Sequence, residues 1–140
     1  MSPLPYESPK KLSLGWLEQE ILEIVWELGC ASVKAIHERI LSDPDRELAY
    51  TSVTTVLQRL TQKGWLKCHK QRRVFYWEAK LSREEAQALK AYEQLNQFLA
   101  VSNPDVVASF ADRLDTDSLE QLDAIALRLR SIRQQREEQD

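Results

Sequence analysis

The stretch from Tyr50 to Trp77 constrains the fold more than any other part of the chain. Val53, Val56, Leu57 and Leu60 recur at i, i+3, i+4 and i+7, the spacing of one buried stripe on an amphipathic helix. The opposite flank carries Ser52, Thr54, Thr55, Gln58, Arg59 and Gln62, short or hydrogen-bonding groups suited to an exposed face. Gly64 predicts the stop of that helix. Trp65 to Lys70 and Val74 to Glu78 are rich in Trp, Val, Phe and Tyr, which favour strands, and Gln71-Arg72-Arg73 turns between them. That turn has no glycine, so the spacing predicts a loose loop around Lys70–Arg73 and not a tight primed turn. A helix with a polar face followed by a cationic hairpin is the pattern with which a winged helix-turn-helix meets DNA.

Upstream, Leu14, Leu17, Ile21, Val25 and Leu28 predict a helix over about 14–28, ended by Gly29. Ser32 is placed to cap a second helix with Val33, Ile36, Ile40 and Leu41 on its apolar side. Ser42-Asp43-Pro44-Asp45 is turn chemistry. The third helix then begins at Tyr50 or Thr51, with the Thr51 hydroxyl the better cap. Residues 1–13, containing three prolines and no apolar run of the signal-peptide kind, read as a flexible arm.

Beyond Lys80 the pattern is helical. Ser82 and Glu85 form a capping box, and Asn103-Pro104 is a second start signal with Asn as cap. Asp117 is placed to cap a last helix. The expected division is an arm over 1–13, a winged-helix domain over 14–80, a three-helix dimerisation region over 81–135, and a frayed tail over 136–140. The fold class is therefore mainly α with a small β-hairpin. The C-terminal helices carry too little apolar surface for a separate core, which predicts pairing with a second copy. The residues for that pairing are Leu89, Tyr92, Leu95, Leu99, Val107, Phe110, Leu119, Leu122, Ile125 and Leu129.

The formal net charge of −3 speaks against nucleic acid until the chain is divided. Residues 1–80 hold 12 Lys+Arg against 10 Asp+Glu, whereas residues 81–140 hold 7 against 12. Within 59–80, seven cations face only Glu78. Phosphate binding needs such clustering rather than a basic total. Thr51, Ser52, Thr54, Thr55 and Gln58 are the expected base-reading residues: Gln58 can pair bidentately with adenine, and threonine methyls suit thymine methyls. Arg59, Lys63, Lys70, Arg72 and Arg73 are the expected backbone and wing contacts, supplying salt-dependent affinity.

An enzyme lacks its parts here. No HExxH, CxxC or glycine-rich phosphate loop occurs, and the chain has three glycines. No cofactor and no metal site are expected, since Cys68 and His69 are adjacent and would point to opposite faces of a strand. Cys30 and Cys68 are not spaced as a clip, and the expected setting is the cytoplasm with both thiols reduced. No apolar run is long enough to cross a bilayer, so no membrane insertion is expected. Two other readings stay open: a winged-helix module that binds protein without specific DNA binding, and a thiol-switched regulator using Cys30 or Cys68.

The segments LGWLEQEILEIVWELG (14–29), VKAIHERI (33–40), AYTSVTTVLQRLTQKGWL (49–66) and VFYWEAKLSREEA (74–86) together resemble the penicillinase-repressor (BlaI/MecI/CopY) family of winged-helix repressors. The resemblance implies a homodimer that occupies a palindromic double-stranded DNA operator, with TACA/TGTA-like half-sites. It also implies, for members controlled by a membrane sensor-protease, cleavage just before a Phe; the matching bond is Ser109–Phe110. The chain departs from the family examples at Ser109, where they have Asn. It also lacks the C-terminal CxC pairs of the copper-responsive branch.

Overall fold

A computed structural model describes residues 9–101 and 103–139. In order these form α1 (Trp16–Leu28), β1 (Cys30–Ala31), α2 (Val33–Leu41), α3 (Tyr50–Lys63), β2 (Leu66–Gln71), β3 (Val74–Ala79), α4 (Arg83–Leu99), α5 (Pro104–Arg113) and α6 (Thr116–Gln139). One compact unit ends at Leu95 and a second begins at Asn96. Ala86 and Leu89 of α4, which lie beyond the expected division after residue 80, are buried in the core of the first unit. The mainly helical class with a winged helix-turn-helix is as expected.

The first unit is built on the stripe of α3. Val53, Val56, Leu57 and Leu60 are all buried, together with Ile21, Leu22 and Val25 of α1 and Ile36 and Ile40 of α2. Helix α1 starts two residues later than expected, at Trp16. Leu14 packs partly against the core ahead of it, and Leu28 is exposed. Ser32 caps α2 through Oγ, which accepts from the Ala35 N–H at 3.2 Å. Thr51 does not cap α3: the N-cap is Ala49, with no side-chain bond, and Thr51 is already inside the helix. Gly64 closes α3 at φ +91°, and a Cβ there would lie 3.2 Å from the Pro9 backbone. Left-handed geometry and close approach both favour glycine at that one position.

The sheet has three antiparallel strands in the order β1-β3-β2. The two-residue β1, which pairs Cys30 with Glu78 and Ala31 with Trp77, was not expected from sequence, being too short for any alternation to show. The loose loop expected at Lys70–Arg73 is corrected. Gln71 pairs with Val74, leaving Arg72 and Arg73 as a two-residue turn with φ of 52° and 70°. Two positive φ values are the mark of a type I′ turn, whose twist matches the strands it joins. Here that twist prevails over the preference for glycine.

Residues 1–8 of the expected arm and Asp140 of the expected tail lie outside the described residues. Residues 9–13 are docked: the Lys10 N–H donates to the Lys63 carbonyl at 2.8 Å, and the Trp65 indole N–H donates to the Lys11 carbonyl at 2.9 Å. In the second unit, Asn103 caps α5 as expected, accepting from the Asp105 N–H at 2.9 Å. The α6 cap is Asp115, not Asp117, accepting from the Ser118 N–H at 2.7 Å, and this bond holds its carboxyl below the usual range. Residues 136–139 continue α6, with an Arg133–Glu137 pair across one turn.

Lys63, expected as a backbone contact, is engaged by residues of the first unit. Its Nζ lies 2.8 Å from the buried Glu18 Oε2 and donates to the Ser13 carbonyl at 2.9 Å. Burial pushes the Glu18 carboxyl up. The Lys63 hydrogen bond, the Gly15 N–H and the charges of Lys63 and Arg59 outweigh it, so the net shift is downward. A depressed carboxylate stabilises the fold above its unfolded value, and that contribution is lost as pH falls through the folded value. Lys63→Met should therefore lower stability by about 1–3 kcal/mol at neutral pH in urea melts. The variant should lose less than the wild type when pH is taken from 7 to below about 4.

Candidate nucleic-acid interface

The buried stripe of α3 decides which of its side chains face out. Thr51, Thr55 and Gln58 are exposed, whereas Ser52 and Thr54 are half-buried at the edges of that face. Gln62, one turn beyond Gln58, is also exposed and belongs with them, although sequence reading stopped the site at Gln58. Spacing alone contained that signal, since 51, 55, 58 and 62 are successive i, i+4, i+7 and i+11 positions.

The threonine hydroxyls are not idle. Thr55 Oγ1 donates to the Thr51 carbonyl at 3.0 Å and Thr54 Oγ1 to the Tyr50 carbonyl at 3.4 Å. With the proton turned to the backbone, each hydroxyl can offer only acceptor lone pairs while its methyl stays available. That suits apolar contact with a thymine methyl better than donation to phosphate. Tyr50, half-exposed at the start of α3, meets the His37 ring edge-on at 5.5 Å, and His37 Nε2 lies 2.7 Å from the Leu48 carbonyl. These contacts fix the entry of α3 from the preceding loop.

The cations divide into two groups. Lys63 is spent on Glu18, and Lys67 lies 3.3 Å from Glu78. Upstream, Arg46 is held by Glu20 through two bonds of 2.7 and 2.9 Å, which keep the Glu20 carboxyl below its usual range. Arg59, Lys70, Arg72 and Arg73 form no ion pair among the described residues. All four are exposed, Arg59 on α3 and the rest on the hairpin. The structure therefore brings Thr51, Thr55, Gln58 and Arg59 onto one outward face, with Lys70, Arg72 and Arg73 on the neighbouring wing, while Lys63 is paired with Glu18.

Trp65 and Trp77 are core residues, 1% and 7% exposed. The strand register puts Cys68 opposite Trp77 and Cys30 opposite Glu78, so the two thiols lie on opposite faces of the sheet and cannot bridge within the chain. Burial raises the Cys68 thiol above its usual range, which disfavours the reactive thiolate. Among the described residues no group of three His, Cys, Asp or Glu side chains could hold a metal ion. No described helix is long and apolar enough to cross a membrane.

The residues expected for pairing fall differently from one another. Leu89 is 4% exposed and belongs to the core of the first unit. Tyr92 is half-buried, and Leu95, Leu99, Val107, Phe110, Leu119, Leu122, Ile125 and Leu129 are exposed. Neither α5 nor α6 has a buried residue. Ser109 and Phe110 lie in the second half of α5, with the Phe110 ring 4.9 Å from that of Phe98.

A three-helix core with an outward polar helix and a cationic hairpin defines a DNA-binding transcriptional regulator of the winged-helix class. The chain belongs to the penicillinase repressor family, whose model matches residues 14–128. Among solved structures it is similar to hsRosR-S1, at 17% identity over 85% of this chain and 94% of that chain, with a TM-score of 0.48. It is also similar to an E. coli MarR mutant complexed with operator DNA, at 17% identity over 84% of this chain and 76% of that one, TM-score 0.43. A Lactococcus lactis ZitR mutant aligns at 14% identity over 93% and 82%, TM-score 0.44. No curated protein matches the chain in sequence.

The turn yields a stability test. Arg72 and Arg73 hold left-handed geometry that costs an ordinary residue about 1 kcal/mol. Replacing them with Asn and Gly, the pair such turns favour, should raise the melting temperature by several degrees in a thermal scan.

Proposed function

We propose that the protein is a homodimeric, sequence-specific repressor that occupies a palindromic operator in the cytoplasm and catalyses no reaction. The observation that carries this reading is the pairing of an outward Thr51–Thr55–Gln58 face with unneutralised arginines at the adjacent hairpin tip. In this reading α3 enters the major groove, with Gln58 and the threonine methyls reading base edges and Ser52 supporting them at the edge. Arg59, Lys70, Arg72 and Arg73 hold phosphates or the adjacent minor groove and set affinity without sequence choice.

The dimer reading rests on the second unit. Helices that bury nothing of their own while exposing Phe110, Leu122, Ile125 and Leu129 gain most by covering these side chains with a second copy. Two-fold symmetry then doubles the DNA contacts on a palindrome, and release follows from weakening the dimer. A sensor-protease acting at Ser109–Phe110 would do this, and because the bond lies within α5 it would have to unwind that helix first.

Three measurements test these assignments. Fluorescence anisotropy should show tighter binding to the protein's own upstream region than to random duplex at physiological salt; equal binding would favour a protein-interaction module. Gln58→Ala should cost about 1–3 kcal/mol on the preferred sequence and relax its choice. Arg72→Ala should instead weaken every duplex alike and reduce the salt slope by about one. Introducing Asp at Leu122 and Leu129 together should convert a dimer to monomer in sedimentation velocity and weaken operator binding, while the first unit stays folded.

A further inference from the structure

Between α3 and the hairpin runs a groove of about 660 Å³ whose sheet-side wall the base-reading and wing assignments leave unused. One wall is Thr54, Gln58 and Gln62 of α3; the other is Cys68, Phe75 and Trp77 of the sheet. None of these is acidic. Phe75 is unusual among them: the residue is 52% exposed, its ring tilted against Trp77 at 6.3 Å, with Lys70 Nζ 5.5 Å from the ring centre. The register explains the grouping, since Lys70 is opposite Phe75 and Cys68 opposite Trp77, so all four share the face turned to α3.

We infer that this groove seats a DNA sugar–phosphate strand, with Phe75 packed on its deoxyribose and Lys70 holding the adjoining phosphate. The inference rests on the operator-binding reading above. If α3 lies in the major groove and the Arg72–Arg73 tip reaches the next minor groove, the backbone strand dividing the two grooves must pass between helix and hairpin. The cations at the hairpin end complement its charge. The C–H faces of the sugar are the apolar part of that strand, and Phe75 is the half-bare apolar ring in the groove. Bases point away from this strand, so the contact is blind to sequence. It is also blind to salt, because a phenyl ring displaces no counterion.

Anisotropy titrations of the full chain on its upstream region and on random duplex, at several salt concentrations, separate these properties. Phe75→Ala should weaken both duplexes by about fivefold, the scale of covering a half-exposed phenyl ring, with an unchanged salt slope. Lys70→Ala should weaken both and lower the slope by about one. Phe75→Leu, which keeps an apolar surface, should retain most of the affinity that Phe75→Gln loses, and this pair gives the same contrast if the alanine variant is unstable. Binding of Phe75→Ala within twofold of wild type on both duplexes overturns the inference. So does a loss confined to the upstream region, which would make Phe75 a base reader. A wild-type chain that binds neither duplex overturns the operator reading itself, a result distinct from the other two.

Discussion

The burial of Val53, Val56, Leu57 and Leu60 against α1 and α2 is the constraint on which the rest of the first unit depends. It fixes the rotation of α3 about its own axis, because a helix with one buried side has no freedom over what the other side shows. The hairpin is placed by the same helix: Gly64 reverses the chain, and Trp65 and Leu66 drop straight into the core before β2 leaves it. Helix face and wing are thus set by consecutive residues of one segment, and their spacing does not rely on a distant loop.

Features whose cause is local were legible in the sequence. The Ser32 cap, the Ser82–Glu85 box, with bonds of 3.1 Å each way, and the Gly64 stop are each decided within a few residues. What could not be read was decided by partners far along the chain. Lys63 sits in a run of cations and looks like a phosphate contact, but its partner Glu18 is 45 residues earlier. Leu89 fits the stripe of α4 and looks like an interface residue; the core it joins is built by α1, α2 and α3, all much earlier in the chain. The turn at Arg72–Arg73 was misread because composition was weighed above the twist of the two strands that close on it.

The two halves handle apolar surface in opposite ways. In the first unit large side chains such as Trp65, Leu57 and Ile36 are almost wholly covered. In α5 and α6 the apolar side chains are spaced as if for a core, yet none is buried. The charge balance follows the same divide, with the excess cations on the first half and the excess carboxylates on the second. An acidic C-terminal half repels anions, whereas the cationic hairpin of the first half attracts them.

The docking of residues 9–13 carries a consequence for the order in which the chain folds. The bond from Trp65 to Lys11 joins residues 54 apart, and the pairing of Cys30 with Glu78 closes a span of similar length. Contacts of that range cost loop-closure entropy before they return any stability, whereas the packing of α2 against α3 spans a short loop. The helical core can therefore form first. The N-terminal strap and the short edge strand then close over it as late events, which makes them the first parts to open.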